Sequence, residues 1–128
     1  MKKLLVLALA LPFLGYSSHR EKCYQNFFAK RMNGTTEVRM PDNTRCDILT
    51  ENLAIEVDFA PKWAEAIGQS LHYAKMVNRQ AGIVIVIRKK IDHLHVKKLL
   101  GVIQEYNLPI QVFQLEVKDL ALCKEYCL

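Results

Sequence analysis

The run AGIVIVI at positions 81–87 constrains the fold of this chain more than any other feature. A continuous apolar run rich in β-branched residues is typical of a strand covered on both faces, as in parallel sheets packed between helices. The segment AIEVDFA (54–60) is a second strand candidate, and Pro61 suits the first turn of a helix that reaches about Val77. A strand, a helix and a strand in this order predict a parallel crossover and therefore an α/β domain.

The rest of the chain extends this unit in both directions. Apolar residues at helical spacing predict further helices, whereas alternating segments separated by turn formers predict further strands. Since 128 residues suit one domain, we expect a single α/β domain of order αβββαβαβ, with a central mixed sheet flanked by helices. The expected elements are helix 19–33, strands 36–40, 45–50 and 54–60, helix 61–77, strand 81–87, helix 91–106 and strand 109–117.

The first 17 residues differ in character from the rest. Two lysines precede an apolar run from Leu4 to Leu14, and Gly15-Tyr16-Ser17 offers a small-x-small cleavage site. This is the pattern of a secretory signal peptide, and the apolar run is about half of what a stable membrane-spanning helix needs. We therefore expect a signal peptide at 1–17, a domain at 18–128 and a periplasmic or secreted location without a stable membrane anchor. An uncleaved N-terminal anchor is the alternative.

Charge and cysteine content narrow the possible partners. Residues 18–128 carry 16 basic and 13 acidic side chains, and this small excess of positive charge permits a polyanionic partner without demanding one. An even number of cysteines in an exported protein indicates one or two disulfides, with three possible pairings if all four are joined. A zinc site is disfavoured because the spacings include no CxxC pair. The four cysteines are Cys23, Cys46, Cys123 and Cys127.

Two carboxylates interrupt the strand at 54–60. Because side chains alternate along a strand, Glu56 and Asp58 share one face. If strand 45–50 is the neighbour of this strand, Asp47 meets Glu56 across the ladder. Carboxylates placed together repel and are costly to desolvate unless a cation lies between them, and such oxygen ligands suit Mg²⁺ or Mn²⁺. The alternative is an ordinary solvated strand face.

The helix that follows carries polar residues along one face. At 100° per residue Lys62, Gln69 and Tyr73 fall on one stripe together with Ala66, separate from the arc that can pack on the sheet. An ammonium group, a helix N-terminus, an amide and a phenol all suit phosphate oxygens. The sequence therefore predicts a phosphate-binding stripe close to the carboxylates.

These motifs resemble those of the PD-(D/E)xK nuclease superfamily, also called restriction-endonuclease-like. Asp47 matches the motif aspartate, Glu56-Val57-Asp58 matches the (D/E)-x-K triplet except at its last position, and Gln69 to Tyr73 matches the QxxxY motif of a subset. The order of elements over 19–116 is similar to the family core. The resemblance implies a restriction-endonuclease-like domain that hydrolyses phosphodiester bonds of DNA with Mg²⁺ or Mn²⁺.

The resemblance also implies a role for each residue. The lysine that orients or activates the attacking water in the family is replaced here by Asp58. In some members that lysine has migrated to the following helix, where this chain has Lys62. The implied catalytic residues are Asp47, Glu56, Asp58 and Lys62, of which Asp47, Glu56 and Asp58 are also the implied metal ligands. The implied substrate contacts are Gln69 and Tyr73. Glu21 is the candidate for an acidic residue that the family carries on its first helix.

Two other functions stay open at this point. A module with the same fold that binds nucleic acid or protein without catalysis is favoured by Asp58, which stands where the family has its lysine. A small disulfide-bonded envelope protein, with its carboxylates merely at the surface, is the third hypothesis. Metal binding that depends on Asp47 and Glu56 separates the first function from the other two.

Overall fold

The computed structural model describes residues 14–116 and Tyr126, with side chains from Glu21 onward. Five strands form one mixed sheet in the order β1-β2-β3-β4-β5, and three α-helices accompany it, so the α/β class and the mixed sheet are confirmed. The elements are α1 (Leu14–Arg31), β1 (Thr35–Arg39), β2 (Arg45–Leu49), β3 (Leu53–Phe59), a 3₁₀ turn (Ala60–Lys62), α2 (Trp63–Val77), β4 (Gln80–Ile87), α3 (Asp92–Glu105) and β5 (Ile110–Glu116).

Strand direction changes within the sheet at β3. Strands β1, β2 and β3 pair antiparallel, whereas β3, β4 and β5 pair parallel through the crossover helices α2 and α3. Every residue of β4 after Gln80 is buried, as its continuous apolar run predicts. Strand β3 is also buried along its whole length, so the carboxylates that it carries lie inside the protein.

Helices cover both faces of the sheet. Helix α1 packs Tyr24 and Phe27 against one face, in an apolar cluster that includes Ile55 and Val57 of β3. Helices α2 and α3 cover the other face, where Ala66 and Leu99 join the β4 isoleucines. None of the helices that the structure describes combines the length and hydropathy needed to span a bilayer.

Two local features differ from the expected elements. Helix α1 begins at Leu14, so one helix runs across the expected cleavage site and the segment that follows it. Pro61 lies in the 3₁₀ turn, and α2 begins two residues later at Trp63, because the fixed φ angle and missing N–H of proline suit a tight turn as well as a helix start. Residues 1–13 and the tail after Glu116, apart from Tyr126, lie outside the described residues.

The cysteines also restrict the expected disulfides. Cys23 is disulfide-bonded, whereas Cys46 is a free thiol buried in β2. The alternative with two disulfides is therefore wrong, because it requires all four cysteines. Burial raises the pKa of the Cys46 thiol to about 11, which keeps this sulfur protonated and packed as a small apolar side chain.

Candidate functional site

The candidate site lies where β2 and β3 cease to pair through their main chains. The last pair in register before the site is Ile48 with Ile55. Beyond it the carboxylate of Asp47 accepts a hydrogen bond from the backbone N–H of Val57, with 2.8 Å between Oδ2 and N. A side-chain oxygen thus takes the place of a main-chain carbonyl, which holds Asp47 against β3 beside the two other carboxylates.

Glu56 and Asp58 are buried side chains on the face of β3 that α2 covers. Their exposed fractions are 5% and 4%, and their parallel neighbours on β4 are Ile83 and Ile85. The solvated-face alternative is therefore wrong for these carboxylates. Within the described residues Glu56 Oε2 and Asp58 Oδ2 have no hydrogen-bond partner. A buried carboxyl oxygen without a partner is costly, and such an atom needs a proton, a water or a cation.

Asp47 and Glu56 lie next to each other just beyond the last paired residues, Ile48 and Ile55. Their carboxyl groups share a hydrogen bond in which Glu56 donates and Asp47 accepts. Burial, together with the charges of Asp47 and Asp58, raises the pKa of Glu56 far above its usual range. Burial also raises the pKa of Asp47, while the N–H of Val57 opposes the shift. Both shifts favour the protonated form, so the pair holds a proton more tightly than exposed carboxyls do.

Asp58 is the third carboxyl of the cluster, two residues along β3. Burial, and then the negative charges of Glu21 and Asp47, raise the pKa of Asp58 to about 8, while the charge of Lys62 lowers it. Burial likewise raises the pKa of Glu21 on α1, against the opposing charge of Lys62. Glu21, Asp58 and Lys62 thus influence one another electrostatically. Lys62 itself is exposed and forms no ion pair within 4 Å among the described residues.

A fifth carboxyl, Glu37, belongs to this cluster and was not expected from the sequence. It lies between the register pairs Thr36–Ile48 and Val38–Cys46 of β1 and β2, and it raises the pKa of Asp47 through its charge. Its φ of 54° is left-handed, which costs energy for a residue with a Cβ. The buried amide of Gln25 on α1 donates a hydrogen bond to it, with 3.2 Å between Nε2 and Oε1. The alternation of TEVRM gave no sign of this conformation.

The polar stripe expected on α2 is only partly present. Lys62 and Gln69 are exposed, but Ala66 and Tyr73 are buried in the core between α2 and the sheet. Tyr73 is 6% exposed, and burial followed by the negative charges of Glu56 and Asp47 raises its pKa to about 12. The two residues of the QxxxY motif therefore face different surroundings, Gln69 the solvent and Tyr73 the carboxylates.

The donor atoms of this cluster fit a hard divalent cation, although the side chains are not arranged around one. The buried carboxyls of Glu56 and Asp58 and the half-buried carboxyl of Asp47 supply oxygen ligands, and the two buried groups carry the oxygens without a partner. No group of three or more His, Cys, Asp or Glu side chains in the described part of the chain is already gathered into a metal-binding arrangement. Metal binding requires carboxyl groups that have lost their protons, and burial opposes this loss here.

No protein-family model, no curated protein and no solved structure is significantly similar to this chain. The resemblance to the PD-(D/E)xK nucleases therefore stays a prediction from the motifs. The geometry of the carboxylate cluster is the main observation that bears on function.

Proposed function

We propose that this protein is an exported, metal-dependent nuclease that hydrolyses phosphodiester bonds of DNA. The observation that carries the proposal is the pair of buried carboxyl oxygens without partners, Glu56 Oε2 and Asp58 Oδ2, beside Asp47. A domain that buries two carboxyls beside a third, half-buried one without a compensating charge loses stability unless a cation or protons neutralise them. The expected export signal and the restriction-endonuclease-like fold belong to the same proposal.

Each residue has a role in this proposal. Asp47, Glu56 and Asp58 would hold Mg²⁺ or Mn²⁺, which would polarise the scissile phosphate and lower the pKa of a bound water molecule. The exposed ammonium of Lys62, at the end of β3, would offset charge that develops on the phosphate.

The QxxxY residues would act from two sides of this centre. Gln69 would contact the nucleic-acid backbone from the surface of α2. Tyr73 is buried close to Glu56 and would orient that carboxyl. It would contact the nucleic-acid backbone only where that backbone reaches the carboxylates. Glu21 would add negative charge on the α1 side.

A second candidate function is a non-catalytic binding module with the same fold. Asp58 favours it, because the position that holds a cation in the nuclease triplet is here a buried acid with a raised pKa. Lys62, the proposed replacement, is exposed rather than held against the carboxylates. A module of this kind would bind no divalent cation through Asp47 and Glu56 and would not cut DNA.

The test is cleavage of linear and circular DNA by the purified chain, with and without Mn²⁺. We expect Mn²⁺-dependent cutting that Glu56→Ala abolishes. Glu51→Ala is the matched control, because Glu51 is an exposed acid in the turn before β3 and should leave the rate unchanged. Cutting of the circular substrate would show that no free end is needed.

Calorimetric titration with Mn²⁺ separates the two candidate functions. A folded chain that binds Mn²⁺, and loses this binding in Asp47→Ala and Glu56→Ala, would favour the nuclease. A folded chain that binds no Mn²⁺ and leaves both DNA substrates intact would contradict the nuclease and favour the non-catalytic module. The third hypothesis, an envelope protein with its carboxylates at the surface, disagrees with the burial of Glu56 and Asp58.

A further inference from the structure

The turn between β4 and α3, with the first turns of α3, forms a surface on which aliphatic side chains stand among cations. Ile91 and Leu94 are 53% and 56% exposed, which is unusual for large apolar side chains that lie next to each other. The cations around them are the exposed residues Lys89, Lys90, Lys97 and Lys98. We call these six residues the lysine–aliphatic patch.

The two aliphatic side chains form the shared centre of this patch. A depression of about 670 Å³ is lined by Ile91 and Leu94 together with Lys90 and His93. A second depression, of about 500 Å³, is lined by the same two residues and by His95, Lys97 and Lys98. Cations therefore lie on both sides of one apolar ridge.

No exposed acid offsets this positive charge within 88–98. The segment contains five basic residues and one acidic residue, Asp92, whose exposed fraction is 1%. The Oδ2 atom of Asp92 accepts hydrogen bonds from the N–H groups of Arg88 and Lys89, at 2.8 and 3.2 Å. These bonds use the acid to fix the turn, so the outward surface of the patch carries positive charge only.

The segment that carries the patch packs against the rest of the domain. Val96 and Leu99 anchor α3 in the core. The guanidinium group of Arg88 stacks on the ring of Phe59, 3.9 Å from its centroid. The turn and helix that carry the patch are thus packed against the domain, while Ile91 and Leu94 lie at its surface.

We propose that the lysine–aliphatic patch binds the surface of an anionic phospholipid bilayer. Such a surface uses both halves of the patch, because aliphatic side chains enter the boundary between headgroups and acyl chains while lysines meet the lipid phosphates. A nucleic acid would use the lysines but would leave Ile91 and Leu94 in water. Single strands stack on aromatic side chains, and 88–98 contains no Phe, Tyr or Trp. This inference does not rest on the nuclease proposal.

The test is sedimentation of the full chain with vesicles of phosphatidylglycerol and phosphatidylcholine, compared with vesicles of phosphatidylcholine alone. We expect binding to the anionic vesicles that falls about tenfold or more in Lys97→Gln/Lys98→Gln, since each lysine near an anionic surface contributes roughly a factor of five. Ile91→Ser/Leu94→Ser should reduce binding by a similar factor. Segment 1–17 is present in every variant, so a difference in binding between variants comes from the patch.

Matched controls come from outside the patch. Leu100→Ser removes an exposed aliphatic side chain from the same helix, and Lys75→Gln removes an exposed lysine from α2. Both should bind vesicles as the wild type does. Thermal melting checks that all variants are folded, and Glu56→Ala should retain vesicle binding, which separates this inference from the proposed nuclease.

Three results would overturn the proposal. The first is equal binding to neutral and anionic vesicles, and the second is wild-type binding by both folded patch variants. The third is a loss of binding to duplex DNA in Lys97→Gln/Lys98→Gln while the wild type ignores anionic vesicles. That third result would assign the patch to nucleic acid.

Discussion

The carboxylate of Asp47 on β2 accepts a hydrogen bond from the backbone N–H of Val57 on β3, with 2.8 Å between Oδ2 and N. This contact continues the sheet at a point where main-chain pairing has stopped. It also places Asp47 next to Glu56, whose pKa is raised by burial and by the charge of Asp47. Asp47 therefore has a structural role and also belongs to the candidate metal centre. Different substitutions of Asp47 can separate these two roles.

Asp47→Asn and Asp47→Ala should differ in stability. Asparagine keeps an oxygen that can accept the hydrogen bond of Val57, whereas alanine leaves this N–H without a partner. A buried donor without a partner costs roughly 1–3 kcal/mol, so the alanine variant should have the lower free energy of unfolding in urea by about that amount. Both variants should lose Mn²⁺ binding. Equal stability of the two would show that the hydrogen bond contributes nothing.

Stability without metal should fall as the pH rises, because burial raises the pKa of Asp58 from 3.8 to about 8. A carboxyl whose pKa is raised in the folded state stabilises the protein below its unfolded pKa, and this contribution is lost as the pH rises through the folded pKa. We expect a loss on the order of 2 kcal/mol between about pH 5 and about pH 8 in urea denaturation.

Asp58→Asn is the matched variant for this pH dependence. The amide has the shape of the protonated acid but does not ionise, so its unfolding free energy should change less over the same range. Saturating Mn²⁺ should stabilise the wild type at the upper end of the range, since it binds the ionised carboxyls of the folded state. A wild type whose stability rises with pH in the absence of metal would contradict the assignment.

The left-handed backbone of Glu37 predicts an unusual order of stability among variants at this position. At a φ of 54°, Glu37→Val should be less stable than Glu37→Asn by about 1–2 kcal/mol, because asparagine tolerates this conformation and a β-branched residue does not. An ordinary strand position would give the opposite order, since valine favours strands. Thermal unfolding of the two variants decides between these conformations.

Replacement of two glycines by alanine should change the stability of the protein in opposite directions. A Cβ on Gly34 would lie 2.5 Å from Cγ2 of the buried Ile48, whereas one on Gly101 would meet nothing within 4 Å. Gly34→Ala should therefore destabilise the protein by about 1–3 kcal/mol through overpacking. Gly101→Ala, at an exposed position within α3, should stabilise it by roughly 0.5–1 kcal/mol. The shift in melting temperature gives both signs in one experiment.

Much of the fold was predictable because its signals are local. The apolar run of β4 indicates a strand covered on both faces wherever it occurs, and the alternation in β3 places Glu56 and Asp58 on one face without reference to the rest of the chain. The same register argument brought Asp47 opposite Glu56. Each of these conclusions depends only on the repeat of a strand and on the length of the turn between neighbours.

Other properties were decided only by the tertiary structure. The sequence cannot show that α2 covers the carboxylate face, that Tyr73 is buried beside it, or that Glu37 adopts a left-handed backbone. These features depend on which distant groups come within hydrogen-bonding distance, as Gln25 does with Glu37. The sequence by itself determined which side chains share a face. The packing of helices on that face decided whether water solvates them, because the cost of a buried charge depends on what surrounds it.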